Sequence, residues 1–385
     1  MQHSIFSQFS GFSRFFGPAV MILVLASVLN TASAATANLY VIRGISVDET
    51  ASTAATARAK AIQAGQRRAF DTLLRRLVLA PYHQELPKLD SDTITPLVAS
   101  FQVANERSSA QRYLADFTFE FKRDDVRRIL RAQSLPFSES VAKPLLVLPV
   151  FSADGSQNLW DEPNPWLSAW TDIIGYGVRP QAPPALRDDW AQNLLQPVIV
   201  PSGDLADIKA ITAEQAVSLD KAALDAIRDI YGTSGVLVIT ARLRIADDGT
   251  SRLEVTRQRS GQLSQPVVET YRGDSDGEQL MHSAIFDLLG NIQENWKRQN
   301  VLDFSSESTL AVTTKVTSLP DWLTIEERVK TLAAVSATKV KELSVGQAFW
   351  YITFLGTIDQ LTSSLAQNDL VLAEQDGYWT LDPAR

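Results

Sequence analysis

The sequence predicts an α/β (α+β) protein of three small domains with mixed sheets. An alternating strand leads into a long amphipathic helix over residues 39–79, and an unbroken apolar run at residues 145–151 starts a second folding unit. The order strand-helix-strand-strand-helix-strand recurs between residues 310 and 381. A chain of 385 residues also has room for two or three domains, since a domain averages roughly 150 residues.

The first domain, residues 35–133, is organised around the strand and helix of residues 39–79. Apolar side chains recur with period two in the strand and with helical spacing after it, at Leu39, Val41, Ile45, Val47, Ile62, Ala69, Leu73 and Leu77. Gly65 lies in the middle of this helix, where glycine costs about 1 kcal/mol relative to alanine. We therefore expect a neighbouring backbone to approach it closely.

The remainder of this domain contains a second strand with a strong pattern, over residues 113–121, where aromatic and polar side chains alternate. A short helix is expected before it, near residues 93–101, and a helix capped by Asp124 after it. Residues 134–143, which include Pro136, have the composition of a linker.

The middle domain, residues 144–300, begins with the apolar run at 145–151, which is typical of a strand buried on both faces. A capping box at Thr212 and Gln215 predicts the start of a helix. The helix has inward positions Leu219, Ala223, Ile227 and Ile230 and a C-cap at Gly232, and a strand is expected before it at 197–200. A turn at 247–249 joins a strand at 235–245 to a second strand that contains Leu253 and Val255, a third strand follows at 266–271, and a helix is expected over 281–296. Together they form an α/β unit with a β-meander.

The last domain, residues 308–385, is predicted to be ferredoxin-like, with the order β-α-β-β-α-β. Its first helix starts at Pro320, and its second starts with a capping box at Thr357 and Gln360. A hairpin after the second helix adds one more strand at the end of the chain.

Residues 1–34 are interpreted as a signal peptide for export. Arg14 precedes an apolar run over residues 19–29, and Ala32-Ser33-Ala34 forms a small-x-small cleavage site. We expect a periplasmic protein with no transmembrane segment after cleavage; the alternative is a chain anchored to the inner membrane by an uncleaved signal. The absence of cysteine excludes disulfides, thiolate chemistry and a lipid-attachment cysteine.

The charge balance argues against a nucleic-acid partner. Removal of the signal takes away one arginine and no acidic residue, which leaves 35 basic and 44 acidic residues and a formal charge of −9.

The mature sequence offers few residues for catalysis or metal binding. Only His83 and His282 remain after the signal, in different predicted domains, and each is interpreted as a surface or packing residue. Residues 274–278 are acidic, but Arg272 and Ser283 stand where a calcium loop has its first and last carboxylates, which indicates a turn and helix cap. We therefore expect no catalytic residue, no cofactor and no metal site.

Two groups of residues are candidates for partner binding. Trp160, Trp166, Trp170 and Trp190 are interleaved with prolines in a poorly periodic stretch, and tryptophan is favoured at binding hot spots. Alternatively, Trp166 and Trp170 form one buried helix face. Arg67 and Arg75 on the polar face of the first helix suit an anionic partner, although such arginines usually form a solvated face.

The segments YVIRGISV at residues 40–47, AIQAGQRRAFDTLLRRL at 61–77 and FTFEF at 117–121 resemble an exported proteobacterial family, that of domain of unknown function 2066. The resemblance covers most of the mature chain and implies export but no catalytic residues. Residues 145–243 are similar to the α/β domain shared by the TolB amino-terminal region and envelope-assembly lipoproteins.

These observations indicate a non-catalytic binding or assembly factor of the cell envelope, whose partner is an envelope protein or polymer. The alternative is a hydrolase of envelope polymers that uses a pair of carboxylates. Asp188-Asp189 and Asp247-Asp248 are adjacent in the sequence, but neighbouring side chains on a strand or loop point apart, which disfavours an acid/base pair.

Overall fold

The computed structural model describes residues 39–174, 194–246, 248–261, 265–273, 277–301, 307–375 and 377–384. All of them belong to one compact unit, residues 37–385. The predicted signal peptide, residues 1–34, lies outside the described residues. Within the described ranges, no helix is both long and apolar enough to cross a membrane. The α+β class with three separate sheets is confirmed.

The first sheet is three-stranded and antiparallel, in the order β1-β3-β2. Its elements are β1 (Val41–Thr50), α1 (Ala54–Leu77), a 3₁₀ helix (Ala80–Glu85), α2 (Ser91–Ile94), a second 3₁₀ helix (Thr95–Leu97), β2 (Val98–Ser108), β3 (Arg112–Phe121) and α3 (Arg123–Ala132). Helix α1 packs on β1 and β3 and buries its apolar stripe there. The aromatic face predicted for β3 is confirmed, since Phe117, Phe119 and Phe121 are all buried.

Gly65 is closely approached, as predicted, but by side chains and not by a backbone. A Cβ atom at Gly65 would lie 3.0 Å from the Phe117 ring and 3.2 Å from the Phe119 ring. The missing side chain therefore makes room for the two rings, at the cost in helix propensity noted above.

The helix predicted near residues 93–101 is mostly wrong, because α2 ends at Ile94 and β2 begins at Val98. Strand β2 is an edge strand that is exposed almost throughout and carries two register shifts. A strand without a buried face shows no alternation of apolar residues, which explains why the sequence pattern missed it. The cap predicted for α3 also differs, because α3 follows Lys122 without a side-chain cap from Asp124. Helix α1 is capped by the Thr53 side chain.

The second sheet has six strands, in the order β5-β4-β7-β8-β9, with β6 paired to β4. Its elements are β4 (Leu145–Ala153), β5 (Ser156–Asn158), α4 (Pro165–Ile174), β6 (Val198–Ile199), α5 (Leu205–Ala210), α6 (Ala213–Val217), α7 (Lys221–Tyr231), β7 (Val236–Ile245), β8 (Ser251–Arg259), β9 (Val267–Gly273) and α8 (Gly277–Gln299). Helices α4 and α8 share a core on one face, and α6 and α7 share a core on the other. Strand β4 is therefore buried on both faces, as predicted.

The single helix expected after Thr212 is instead two helices. The capping box of Thr212 and Gln215 and the left-handed C-cap at Gly232 are both present. Between them the chain turns at Leu219, whose φ of +56° ends the first helix. Ile230, predicted to point inward, is 51% exposed in the last turn of α7, whose buried face is formed by Ala223, Leu224 and Ile227.

The third sheet has five strands, in the order β11-β12-β10-β14-β13. Its elements are β10 (Glu307–Val316), α9 (Leu319–Lys330), β11 (Val335–Ser344), β12 (Gly346–Leu355), α10 (Ile358–Gln367), β13 (Leu370–Gln375) and β14 (Tyr378–Pro383). The predicted β-α-β-β-α-β order and the final hairpin are confirmed. Strand β14, the second strand of the hairpin, lies between β10 and β13 and runs parallel to β10. The first strand of the hairpin, β13, is therefore the edge strand of the sheet.

We expect a fragment of residues 307–385 to fold alone and to unfold in one cooperative thermal transition. Its core cluster consists entirely of residues between 310 and 381, including Trp322 and Trp350, whose ring centroids are 4.9 Å apart. Thermal unfolding followed by circular dichroism tests this. The fragment carrying Trp350→Ala should lack the transition, and its absence from the unmodified fragment would show a core shared with the remaining chain.

The segment predicted as a linker, residues 134–143, is packed against the first sheet's core. Phe137 is fully buried and forms a β-bridge with Val78. Glu139 is buried and accepts hydrogen bonds from Tyr40 (2.5 Å) and from the Arg127 guanidinium (2.6 Å). Residues 134–143 therefore contribute a buried side chain and a buried hydrogen-bond network to the region of the first sheet.

Candidate functional site

The structure places Trp166 and Trp170 in the core. Asn164 caps α4 by accepting a hydrogen bond from the Leu167 amide (2.9 Å), and the two tryptophans then follow on one face of the helix. Both are fully buried, with their rings edge to face at 5.9 Å, and Trp166 Nε1 donates to the Ile239 carbonyl at 3.1 Å. They form the buried helix face that was the alternative interpretation, so neither is accessible to a partner.

The other predicted contact residues are not gathered at one place. Trp160 is half-buried, packs over Gly203 and donates to the Ile211 carbonyl at 2.8 Å. Trp190 lies outside the described residues. On α1, Arg67 donates to the Ser91 hydroxyl (2.6 Å) and Arg75 pairs with Asp71 (2.8 Å), so both arginines are held by groups of their own domain.

A different surface, on the six-stranded sheet, has the features of a binding site: the outer edge of β9. Strand β9 is the last strand of the six-stranded sheet and pairs with β8 from Ser251↔Gly273 to Arg257↔Val267 without a register shift. Val267 and Val268 are 43% and 57% exposed. A regular edge strand with exposed apolar side chains can accept a further strand.

Three of the four edge strands of the other sheets differ from β9, whereas the fourth, β13, also pairs regularly but has one large exposed apolar side chain, Val371, against two in β9. Strands β1, β2 and β11 each contain at least one register shift. Strand β11 also carries exposed Lys339 and Lys341. Bulges and lysines are devices by which proteins protect a sheet edge from pairing. Strand β9 has neither, although its sequence alone did not mark it as a binding element.

A groove runs between β9 and α8. It is lined by Glu269, Thr270, Tyr271, Phe286, Asp287, Gly290 and Asn291. Apart from the chain next to Gly290 and the backbone of its own helix, no described atom lies within 4 Å of the position that a Cβ atom would take there, so the groove is open at this point. An added strand at β9 would therefore find both backbone partners and a surface for its side chains.

The groove is polar and acidic at its rim. Glu269 pairs with Arg257 at 3.1 Å and accepts a hydrogen bond from the Tyr271 hydroxyl at 3.4 Å. Burial raises the pKa of Tyr271 to about 12, helped by the charges of Glu269 and Asp287, so this hydroxyl stays protonated at neutral pH. Asp287 is exposed on α8 and adds a second carboxylate.

A separate cluster, Asp172, Glu278 and His282, joins α4 to α8. One potential ligand atom from each of the three lies within 4.8 Å of the others. Glu278 and His282 are four residues apart, which puts them on one helix face and could be read from the sequence. The proximity of Asp172 to these two residues could not be read from the sequence, because it depends on how α4 and α8 pack.

The carboxylate pairs considered for a hydrolase lie largely outside the described residues. Asp188, Asp189 and Asp247 lie outside the described residues, as do residues 274–276 of the acidic turn. Asp248 accepts hydrogen bonds from the amide and the hydroxyl of Thr250, at 2.9 and 2.7 Å, and serves as a turn cap. The hydrolase alternative therefore stays a prediction.

No family model, no curated protein and no solved structure matches the chain significantly.

Proposed function

We propose that the chain is an exported, periplasmic binding or assembly factor of the cell envelope, and that it takes up an extended segment of a partner protein at the edge of β9. The observation that supports this is the regular, exposed edge of β9 beside the groove along α8. The segments that resemble an exported family support the location, and the acidic balance of the mature chain suits a partner other than nucleic acid.

The groove defines the chemistry of the partner segment. Backbone hydrogen bonds to an edge strand require an extended polypeptide, and alternate side chains of that strand would face Tyr271 and Phe286. Glu269 and Asp287 favour a basic residue among them. The partner segment is thus an extended stretch that combines apolar side chains with lysine or arginine.

Site-specific photo-crosslinking in native cells tests the proposal. A photoreactive residue in place of Val267, on the groove side of β9, should give adducts that map to one extended, basic and apolar segment of one envelope protein. A synthetic peptide of that segment should then slow hydrogen exchange of the β9 amides. Val267→Lys and Asp287→Lys should each weaken binding of this peptide by about tenfold or more, because each places a positive charge against a basic strand.

Ile245 provides the matched control, since it is an equally apolar residue on β7, 64% exposed and away from the groove. Ile245→Lys should leave peptide binding unchanged. Equal crosslinking from position 245, or adducts scattered over unrelated sequences, would show that the β9 edge is not a specific site.

A further inference from the structure

We infer that Asp172, Glu278 and His282 form a binding site for a divalent transition-metal ion of the zinc class, bridging α4 and α8. This inference is independent of the proposed binding of a partner at β9. It differs from the expectation drawn from the sequence, in which His282 is an ordinary packing or surface residue.

The first argument is convergence. The three residues come from two helices, and one ligand atom of each lies within 4.8 Å of the other two. Ligand atoms about 2.0–2.2 Å from a tetrahedral zinc ion lie about 3.3–3.6 Å from one another, so the three ligand atoms have to draw together by at most about 1.5 Å, a movement within the reach of side-chain rotation.

The second argument is an imidazole nitrogen without a partner. His282 Nε2 has almost no exposure to solvent and no hydrogen-bond partner among the described residues. A buried polar atom left unsatisfied costs free energy, and native structures contain few of them. A ring that no protein group holds through this nitrogen is free to turn a nitrogen toward a metal between the two carboxylates.

The donor set determines the class of metal. Calcium and magnesium prefer oxygen ligands and larger coordination numbers, whereas imidazole selects zinc and its first-row neighbours. One imidazole and two carboxylates balance a divalent charge. Three protein ligands also leave a coordination position open to water.

The position of the site supports a structural effect of the ion. Helices α4 and α8 share a core that contains Trp166, Trp170 and Met281, and the cluster lies at the rim of this core. An ion held by both helices binds the folded state only, so it should raise the midpoint of thermal unfolding, and above saturation the increase should follow the logarithm of the ion concentration.

The test is titration of the full mature chain with Zn²⁺, followed by calorimetry and by ¹⁵N NMR of labelled histidine. Because only His83 and His282 lie beyond the first 34 residues, the NMR spectrum of labelled histidine follows two imidazole rings. We expect one equivalent of Zn²⁺ to bind, to shift the ring nitrogens of His282, to leave those of His83 unchanged and to raise the unfolding midpoint. Co²⁺ should compete for the same site.

Asp172→Asn, Glu278→Gln and His282→Gln should each weaken Zn²⁺ binding by roughly a hundredfold or more, since even outer partners of metal ligands are worth 10–100-fold. Asp287→Asn, on the same helix outside the cluster, and His83→Gln are the controls and should bind normally. Circular dichroism of each variant without metal verifies that it is folded.

Three results would overturn the inference: no saturable binding of Zn²⁺ to the folded chain, binding that survives His282→Gln and Asp172→Asn unchanged, or a shift at His83 instead of His282. A site that responds to Ca²⁺ or Mg²⁺ and not to Zn²⁺ would also exclude the proposed class of metal.

Discussion

Replacement of Trp166 with alanine should lower the free energy of unfolding by about 3–5 kcal/mol, the range for loss of a fully buried large aromatic side chain. Trp166 has no exposed surface, contacts Trp170 edge to face and donates a hydrogen bond to the Ile239 carbonyl. The substitution leaves a cavity between α4 and the sheet and an unsatisfied carbonyl. Urea denaturation of the two proteins measures the difference.

Tyr378→Ala is the matched control, because this aromatic residue is 76% exposed on β14. It should change stability by no more than about 0.5 kcal/mol. If Trp166→Ala has an equally small effect, Trp166 is not a core residue, and the partner-binding interpretation of the tryptophan segment would regain support.

The indole hydrogen bond can be separated from packing by phenylalanine substitutions. Trp166 Nε1 has an acceptor, whereas Trp170 Nε1 is buried with no acceptor among the described residues. Trp166→Phe loses ring volume and a hydrogen bond. Trp170→Phe loses similar volume but removes an unsatisfied donor, so it should cost less stability.

The elements that the sequence predicted best are those determined by nearby residues. The alternation in β3 and the capping boxes at Thr212 and Thr357 depend on interactions within a few residues, and all three are present. Strand β2 was not predicted, because an exposed edge strand has no buried face and therefore no alternation of apolar and polar residues.

The candidate sites were less predictable because they depend on packing between distant elements. The groove arises from the position of β9 at the end of the sheet order, which no local pattern encodes. The cluster of Asp172 with Glu278 and His282 depends on how α4 lies against α8. The tryptophans were predicted as a group, but whether they face solvent or core depends on that same packing.

Lys297 shows this most clearly, since a lysine in the last turn of a long helix normally reaches into water. In the structure it is 2% exposed. Its Nζ donates to the carbonyls of Arg75 (3.2 Å) and Val78 (2.7 Å) at the end of α1 and pairs with Glu294. Glu294 in turn accepts a hydrogen bond from the Ala80 amide at 3.0 Å. One buried cation thus holds the end of α1 against α8.

Lys297→Met should therefore lower the free energy of unfolding by about 3–5 kcal/mol, the cost of removing one partner from a buried ion pair. Methionine keeps most of the volume, so the loss reports the charge and the hydrogen bonds. The control is Lys330→Met, which breaks the i,i+4 pair with Glu326, whose lysine side chain is 48% exposed, and should cost no more than about 1 kcal/mol. A loss at Lys297 as small as the control would mean that the buried pair makes no net contribution.

His83 provides a second, local measurement of the Lys297 charge. Burial lowers the pKa of His83 below its ordinary 6.5, the positive charge of Lys297 lowers it further, and its Nε2 lies 3.0 Å from the Val78 carbonyl. Because the pKa of His83 is lower in the folded protein, the unfolded chain binds more protons between that pKa and 6.5. The His83 contribution to stability therefore increases as pH rises through this window and is lost on acidification.

Removal of the charge in Lys297→Met should raise the pKa of His83 toward 6.5 and make this pH dependence of stability shallower. NMR titration of the imidazole measures the pKa, and urea denaturation across the window measures the pH dependence. An unmoved His83 titration in the folded variant would show that Lys297 is not charged beside it in the native protein.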